Sequence, residues 1–388
     1  MYATNFIIRS FFMKTSVLPK QNQSEKVYAR QIAFAAAFLL PAAQFLESPS
    51  ILAKYAKGDL LLPAIIHFLL QSLVLLAIVY AASQSPVSIL ARLKGVFGAA
   101  MPLLYLFFAF FYLFFGILPL LDMEKYAYAA FFDTAPTAFS FGPFFLFSAY
   151  VCAKGIKSIA RSADLCLFLF LFPLLALLAM SLTKADFSSL MPLFGTNLSE
   201  IGRAFSRATP HFSNVILLLP LIARLQYKEG DGVKIMSGYW IGALLSLLFL
   251  AIFYAVFSTL APREHYAFSK IAQYFPALSV IGRFDLIFIY FLSIVLLFYT
   301  CLPLQYTTEC LARLFKTERK TWISALLHVL LFIGVLFLNK YYDTIYNFIS
   351  GNLFWIFLLI ADMVPPFLIF LPKTKPSNQP QKKEQTYA

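Results

Sequence analysis

Charged side chains are scarce in this chain. Asp, Glu, Lys and Arg make up only 13% of its 388 residues, whereas hydrophobic residues make up 61%. A globular protein in water needs a much larger polar surface than this composition supplies. The shortage of charge therefore excludes a soluble globule and indicates an all-α integral membrane protein.

Cysteine and histidine are also scarce, and neither forms a pattern. The cysteines lie in or near apolar segments without CxxC spacing, which indicates packing residues rather than disulfides: Cys152, Cys166, Cys301 and Cys310. The histidines lie on separate segments without metal-ligand spacing: His67, His211, His265 and His328. We therefore expect no metal site and no cofactor, and we interpret His67 and His328 as contacts between helices.

Motifs for catalysis and for nucleic-acid binding are missing as well. The sequence contains no nucleophile elbow, Walker loop or dinucleotide fingerprint, so it does not read as an enzyme. Basic stripes interleaved with aromatic residues are absent, which argues against a nucleic-acid partner. The net charge of +13 is accounted for by loops that face an anionic membrane surface.

The chain contains ten long apolar segments. Most of them reach the ~20 residues that cross about 30 Å of hydrocarbon. They form one predicted membrane domain over residues 30–371. An N-terminal tail (1–29), in which Met13 is an alternative start, precedes it. A C-terminal tail that we predict to be disordered (372–388) follows it. The segments are 30–52, 60–82, 99–121, 136–153, 165–182, 212–225, 235–260, 286–311, 321–339 and 346–371.

The basic residues alternate between the loops. The two tails and every second loop hold 21 of the 31 Lys and Arg residues. Because cytoplasmic loops retain Lys and Arg, this pattern predicts that both termini are cytoplasmic and that the chain crosses the membrane an even number of times. Ten crossings divide into two halves of five. Since five is odd, the second half would enter from the opposite side and form an inverted repeat.

The first and sixth segments are irregular. The first contains Pro41 near its middle, and the sixth is only about 14 residues long and contains Pro220. They occupy corresponding positions in the two halves. Discontinuous helices at matching positions of inverted repeats indicate a substrate site near the midplane of the membrane. The sequence therefore predicts a 5+5 inverted repeat with discontinuous helices 1 and 6.

Four residues of the first segment are candidates for substrate binding: Pro41, Ala42, Ala43 and Gln44. An unwound turn here would expose backbone groups, and the Gln44 amide offers both a donor and an acceptor. The alternative is a simple proline kink in which Gln44 packs against another helix.

The start of the sixth segment supplies further candidates. Ser213 and Asn214 open a short helix, whose partial positive charge and unpaired N–H groups would suit a ligand carboxylate. The alternative is ordinary N-capping. His211 is a candidate for a pH-sensitive gate or, alternatively, a solvated loop residue. Residues 198–206 carry apolar side chains at helical spacing, which predicts a short helix lying on the outer surface.

Three carboxylates lie in or close to the apolar segments. Asp362 lies inside the tenth segment and is a candidate for proton coupling, with pairing to a neighbouring helix as the alternative. Glu47 is placed near the outer boundary of the membrane. Glu309 and Arg313 are four residues apart, which predicts an ion pair on one helix.

Four stretches of the sequence carry a family resemblance. In chain order they read ESPSILAKYAKGD, AKGIKSIARSADL, LMPLFGTNLSEIGRAF and YFPALSVIGRFDLIF. They resemble the spore germination permease family, the membrane B subunits of germinant receptors within the amino acid–polyamine–organocation transporter superfamily. The chain departs from the family pattern at two places. Pro41-Ala42-Ala43 replaces a break that usually contains glycine, and Ser213-Asn214 stands where an acidic residue is often found.

The resemblance implies a function as well as a ten-helix inverted-repeat fold. It implies a receptor subunit in the inner membrane of the spore, or in the cell membrane of a spore-forming bacterium. The subunit would bind a small nutrient, such as an amino acid or a sugar, and act with partner A and C subunits. The alternatives are an autonomous amino acid transporter coupled to H⁺ or Na⁺ and a scaffold without transport activity.

Overall fold

Helices make up the architecture of the computed structural model, which describes residues 27–46, 48–85, 87–131, 137–274, 285–351 and 353–372. Glu47, Met13 and most of both tails lie outside these ranges. The helices are α1 Ala29–Gln44, α2 Ser48–Ala56, α3 Leu61–Ser83, α4 Ile89–Phe97, α5 Met101–Phe131, α6 Thr137–Lys154, α7 Ile156–Ser181, α8 Leu198–Phe212, α9 Leu219–Ile222, α10 Asp231–Phe257, α11 Ala267–Gln273, α12 Asp285–Leu314, α13 Lys320–Leu338, α14 Tyr342–Gly351 and α15 Phe354–Leu358.

Six helical stretches in the described part of the chain are long and apolar enough to cross a membrane: Leu61–Ser83, Ile89–Tyr126, Ile156–Ser181, Asp231–Arg263, Leu286–Leu314 and Lys320–Phe348. The pair Ala29–Gln44 and Ser48–Asp59, bent by 58°, would be a seventh span, and two apolar helices are shorter, Phe141–Lys154 and Leu359–Phe370. The chain is thus an integral membrane protein, as its composition predicts.

Helix α1 lies at the centre of the bundle, and its closest partner is α10. Gly238 and Gly242, spaced four apart on α10, face the small residues of α1. A Cβ atom on Gly238 would overlap the carbonyl oxygen of Ala33, and one on Gly242 would lie 2.9 Å from that of Ala36. Small residues at this spacing let two helix backbones approach closely, which is how helices associate in a membrane.

Helices α5 and α12 pack against each other along another side of α1. Gly116 of α5 lies against Pro303 and Leu304 of α12, where a Cβ atom would come within 3.4 Å of both side chains. The rings of Tyr112 and Tyr306 meet edge to face with 5.0 Å between their centroids. These contacts place α5 and α12 as walls of the space beside α1.

The first segment breaks later than predicted. Helix α1 runs through Pro41 as far as Gln44, and α2 begins at Ser48 after the bend. Proline is compatible with helical φ, and packing around α1 keeps the helix intact beyond it, because membrane helices tolerate proline when neighbours satisfy the backbone. The prediction of an unwound turn at residues 41–44 is therefore corrected to a break that directly follows Gln44.

The helix predicted at 198–206 is present, but it is longer than predicted and does not lie wholly on the surface. Helix α8 continues to Phe212, and its second half enters the protein, where Ala204, Ala208 and Phe212 are buried. The chain breaks at Ser213 and resumes as a 3-10 helix over Asn214–Leu218, followed by α9. An amphipathic stripe has the same spacing whether it faces lipid headgroups or other helices, so the pattern alone did not distinguish the two.

Candidate functional site

The two helix breaks lie against each other. The Gln44 Nε2 atom at the end of α1 donates a 2.8 Å hydrogen bond to the carbonyl oxygen of His211 near the end of α8. The Nδ2 atom of Asn214 donates to the same oxygen, and Ser48 Oγ donates to Gln44 Oε1 at 2.6 Å. Helix ends leave backbone groups without intrahelical partners. Here the Gln44 amide joins the two breaks, while Ser48 and Asn214 each stabilise their own break.

The start of helix α11 satisfies the carbonyl groups of the first break. The carbonyl oxygens of Phe45 and Leu46 accept hydrogen bonds from the N–H groups of Phe268 and Ala267, at 3.1 and 3.2 Å. These donors belong to the first turn of α11, whose N–H groups have no partners within the helix. Buried backbone groups must be paired. The start of α11 therefore allows the chain to leave the helical conformation after Gln44.

A central cavity of about 30 Å³ lies beside the two breaks. Its walls come from α1, α5, α8 and α12 and from Leu46 of the first break. Since a water molecule needs about 10–15 Å³ on this measure, the central cavity in this conformation is smaller than an amino acid. The lining residues are Ala43, Leu46, Phe115, Pro119, Asp122, Met123, Pro210, His211, Leu296, Tyr299 and Thr300.

The four predicted residues of the first segment have different surroundings. Ala43 lines the central cavity, whereas Ala42 is fully buried in the packing around α1. Pro41 lies within the helix, and Gln44 connects the two breaks. The alternative prediction for Gln44 was that it packs against another helix, and its contact with His211 of α8 agrees with that prediction.

Ser213 lies between the end of α8 and the 3-10 helix that follows, but its side chain does not cap the start of that helix. Ser213 Oγ donates to Asp362 Oδ2 at 3.2 Å, and no side-chain cap joins Ser213 to the helical turn that follows it. The Asn214 amide contacts the His211 carbonyl through Nδ2 and accepts a 2.6 Å hydrogen bond from Tyr299 Oη through Oδ1. Both side chains hold the sixth segment in place.

Asp362 connects three parts of the bundle. It lies on a π-helical turn, Leu359–Met363, and its carboxylate accepts hydrogen bonds from Gln71 Nε2 of α3 and from Ser213 Oγ. Such widened turns occur often at functional sites. The predicted pairing with a neighbouring helix is present, and the role in proton coupling stays a prediction.

His211 is buried, so its reading as a solvated loop residue is wrong. Its side chain lines the central cavity, and Nε2 lies 3.4 Å from Tyr346 Oη. The pH-sensitive gate remains a prediction. His67, in contrast, is confirmed as a contact between helices, because its Nε2 atom bonds the Phe205 carbonyl at 2.9 Å and its ring stacks on Phe205 and Phe212.

His328 is confirmed as a helix contact too, since it bonds Ser148 of a neighbouring helix at 2.8 Å. The four cysteines are free thiols. Burial of three of them agrees with the packing role that their positions predict.

Asp122 and Thr300 line the central cavity and were missed by the sequence reasoning. Asp122 is 3% exposed, and its Oδ1 atom accepts a 2.6 Å hydrogen bond from Tyr342 Oη of α14. The third apolar segment was ended at Leu121, one residue before this carboxylate, whereas α5 runs on to Phe131. Carboxylates inside the membrane are functional candidates by default, so a third segment that extended past Leu121 would have included Asp122 among them.

Charged residues form an ion-pair cluster at the end of the bundle that the loop charges assign to the cytoplasm. Glu309 pairs with Arg313 on the same helix, at 2.6 Å, and with Arg224, which follows α9. The Arg224 guanidinium also donates to the Pro220 carbonyl at 2.8 Å. The predicted Glu309–Arg313 pair is confirmed. Arg224 adds a connection between the sixth segment and α12.

Two of the stretches that carry the family resemblance contact each other at the opposite end. The carboxylate of Asp59, which ends the first stretch, accepts hydrogen bonds from the N–H groups of Phe194 and Thr196, both at 2.7 Å. Thr196 Oγ1 returns a 2.9 Å bond to the Ala56 carbonyl. Asp59 thereby holds the loop before α8 against the end of α2.

Sequence and structure comparisons are consistent with each other. The model of a family described as spore germination protein matches residues 26–342. No curated protein matches the sequence. The structure described as MhsT in complex with L-phenylalanine has a TM-score of 0.61 and 15% identity and covers 89% of each chain, which shows a similar fold.

Two structures of Mhp1 are more distant. The closed form with bromovinylhydantoin, described as a nucleobase-cation-symport-1 family transporter, has a TM-score of 0.43 and 15% identity, with coverage of 87% of this chain and 79% of that one. The inward-facing form has a TM-score of 0.45 and 12% identity, with coverage of 90% and 78%.

Proposed function

Since this chain belongs to the spore germination permease family, whose model spans residues 26–342, we propose that it is the membrane subunit of a germinant receptor. The subunit binds a small nutrient, an amino acid or a sugar, in the central cavity, and it triggers germination together with A and C subunits in the inner membrane of the spore. The observation that carries this proposal is the meeting of two helix breaks, joined by Gln44 and His211, beside that cavity.

The proposed architecture is ten crossings in two inverted halves, with both termini in the cytoplasm. The bent pair α1 and α2 supports it, because α8 and the helical residues after Ser213 form a second broken pair in the corresponding place. The shared fold with the MhsT structure supports it as well. Discontinuous helices that meet near the midplane are typical of substrate sites in inverted-repeat proteins.

The chemistry of the central cavity suits a small polar ligand. The Asp122 carboxylate would attract an ammonium group. The Tyr299 and Thr300 hydroxyls already donate within the protein, so their oxygens can accept hydrogen bonds from an ammonium group or from sugar hydroxyls, and the His211 ring adds a further polar group. A volume of about 30 Å³ requires the walls to move apart before such a ligand enters. A nutrient that binds only the widened arrangement shifts the population toward it, which is the signal passed to the partners.

Two threonines of α12 provide a matched test. Thr300 and Thr308 are each 1% exposed, and each hydroxyl bonds a carbonyl oxygen one turn earlier, but only Thr300 lines the central cavity. Thr300→Val should raise the nutrient concentration for half-maximal germination by about three- to tenfold, which corresponds to one lost hydrogen bond. Thr308→Val should leave it unchanged.

The assay uses spores in which this receptor is the only one and measures release of dipicolinic acid across a panel of amino acids and sugars. Immunoblots confirm that both variants are present at the wild-type level. Equal responses of the two threonine variants would contradict a nutrient site at the central cavity.

A second candidate function is autonomous amino acid transport coupled to H⁺ or Na⁺. The similar fold of the MhsT structure, which is described with L-phenylalanine bound, favours it, as does the intramembrane carboxylate Asp362. Proteoliposomes that contain this chain alone separate the two functions. Concentrative uptake of a labelled amino acid indicates transport, and the absence of uptake by a chain that supports germination indicates a receptor subunit.

A further inference from the structure

A larger cavity of about 350 Å³, hereafter the basic cavity, lies at the end of the bundle that the loop charges assign to the cytoplasm. It is separate from the central cavity, and no lining residue is shared between the two. Its cationic lining residues are Lys154, Lys157, Arg161 and Lys320.

The acidic residue in the lining, Glu309, does not balance all of these cations. Its carboxylate is engaged by Arg224 and Arg313 and also interacts with Lys320. The remaining described residues of the lining are Gly155, Ile156 and Ser158, which carry no charge. Lys154, Lys157 and Arg161 therefore add positive charge around one concave space, so the space favours an anion.

Two helices begin at the basic cavity. Gly155 has a φ of 86° and precedes α7, and Arg319 precedes α13; neither helix start has a side-chain cap. The N–H groups of Ser158 and Ile159 both bond the Gly155 carbonyl, and no acceptor within the described ranges takes those of Ile156 and Lys157. A helix start carries partial positive charge and free N–H donors, which together bind phosphate groups.

We propose that the basic cavity is a binding site for a phosphate group, supplied either by the headgroup of an anionic phospholipid or by a free phosphate. The cations and the two helix starts supply both the charge and the donors that three phosphate oxygens require. Six of the eight lining residues belong to AKGIKSIARSADL, the stretch that resembles the family, and the nutrient site uses none of them. A bound phosphate would join α7 and α13 beside Glu309 and stabilise this end of the bundle.

The test compares two double variants of the full-length protein that remove the same charge. Lys157→Gln with Arg161→Gln changes the basic cavity, whereas Lys94→Gln with Lys228→Gln changes exposed residues outside it. The conservative exchange Lys157→Arg with Arg161→Lys keeps the cations and shows whether the fold tolerates substitution there.

Two probes distinguish the source of the phosphate. Native mass spectrometry measures how much phosphatidylglycerol each variant retains against phosphatidylcholine. Thermal unfolding in detergent measures the stabilisation by inorganic phosphate relative to chloride at equal ionic strength. Wild type and the conservative variant should bind at least one probe, and the cavity variant should lose affinity for it by roughly tenfold or more, since charge-assisted hydrogen bonds are lost.

Loss of phosphatidylglycerol retention in the cavity variant alone assigns the site to a lipid headgroup, and loss of the inorganic phosphate effect alone assigns it to a free phosphate. The proposal is overturned if wild type binds neither probe, or if both glutamine variants lose binding equally, because general surface charge would then explain it.

Discussion

The centre of the bundle and its predicted cytoplasmic end are held together by different chemistry. At the centre, the neutral Gln44 amide joins the two breaks by donating to the His211 carbonyl, which also accepts a hydrogen bond from Asn214. At the predicted cytoplasmic end, the buried Glu309 carboxylate forms a buried ion pair with Arg224 and a partly buried one with Arg313. A neutral hydrogen bond contributes about 0.5–1.5 kcal/mol net, whereas breaking a buried ion pair costs about 3–5 kcal/mol. The centre is thus the part that a small ligand can rearrange.

The largest effect should follow from Glu309→Gln, which leaves the buried guanidinium of Arg224 and the half-buried guanidinium of Arg313 without this counter-charge. We expect a loss of about 3 kcal/mol or more in the free energy of unfolding. The thiol of Cys310 lines a third cavity, of about 80 Å³, which lies beside the ion-pair cluster and is distinct from the basic cavity. This thiol should also react faster with a maleimide. Thermal unfolding of the purified protein and mass spectrometry of the alkylated thiol measure the two effects.

Glu318 offers the control for this variant. It is exposed in the loop between α12 and α13. Glu318→Gln should change neither the unfolding temperature nor Cys310 alkylation. If Glu309→Gln behaved in the same way, the contrast between the centre and the predicted cytoplasmic end would be lost.

A smaller effect should follow from Gln44→Leu at the centre. The change removes the bonds to His211 and Ser48, although the His211 carbonyl keeps its bond from Asn214. We expect a loss of about 1–2 kcal/mol, less than for Glu309→Gln. The same thermal measurement ranks the variants, with exposed Gln226→Leu as the matched control. A larger loss at Gln44 than at Glu309 would reverse the comparison.

Local patterns predicted those features that depend on neighbouring residues in the chain. Apolar length predicted the membrane helices, and the spacing of Glu309 and Arg313 predicted their ion pair. Pro41 and the shortness of the sixth segment predicted that both segments are irregular, which the bend after Gln44 and the break at Ser213 bear out.

Features that depend on tertiary contacts were not predicted. The first break follows Gln44 because α11 supplies donors to Phe45 and Leu46, and α11 is more than 200 residues away in sequence. Arg224 reaches Glu309 from another segment. Asp122 enters the central cavity only because α5 is longer than its most apolar stretch. Each of these depends on which helices become neighbours, and periodicity carries no such information.

The central claim is that a nutrient binds beside the two breaks, and Ala43 tests it most directly because this residue lines the central cavity. Germination is measured across a panel of amino acids and sugars in spores that carry wild type, Ala43→Leu or Ala43→Gly as the only receptor. The account predicts that Ala43→Leu fills the cavity and abolishes the response at wild-type abundance, while Ala43→Gly retains it. A wild-type response of Ala43→Leu at unchanged nutrient concentrations would contradict the account.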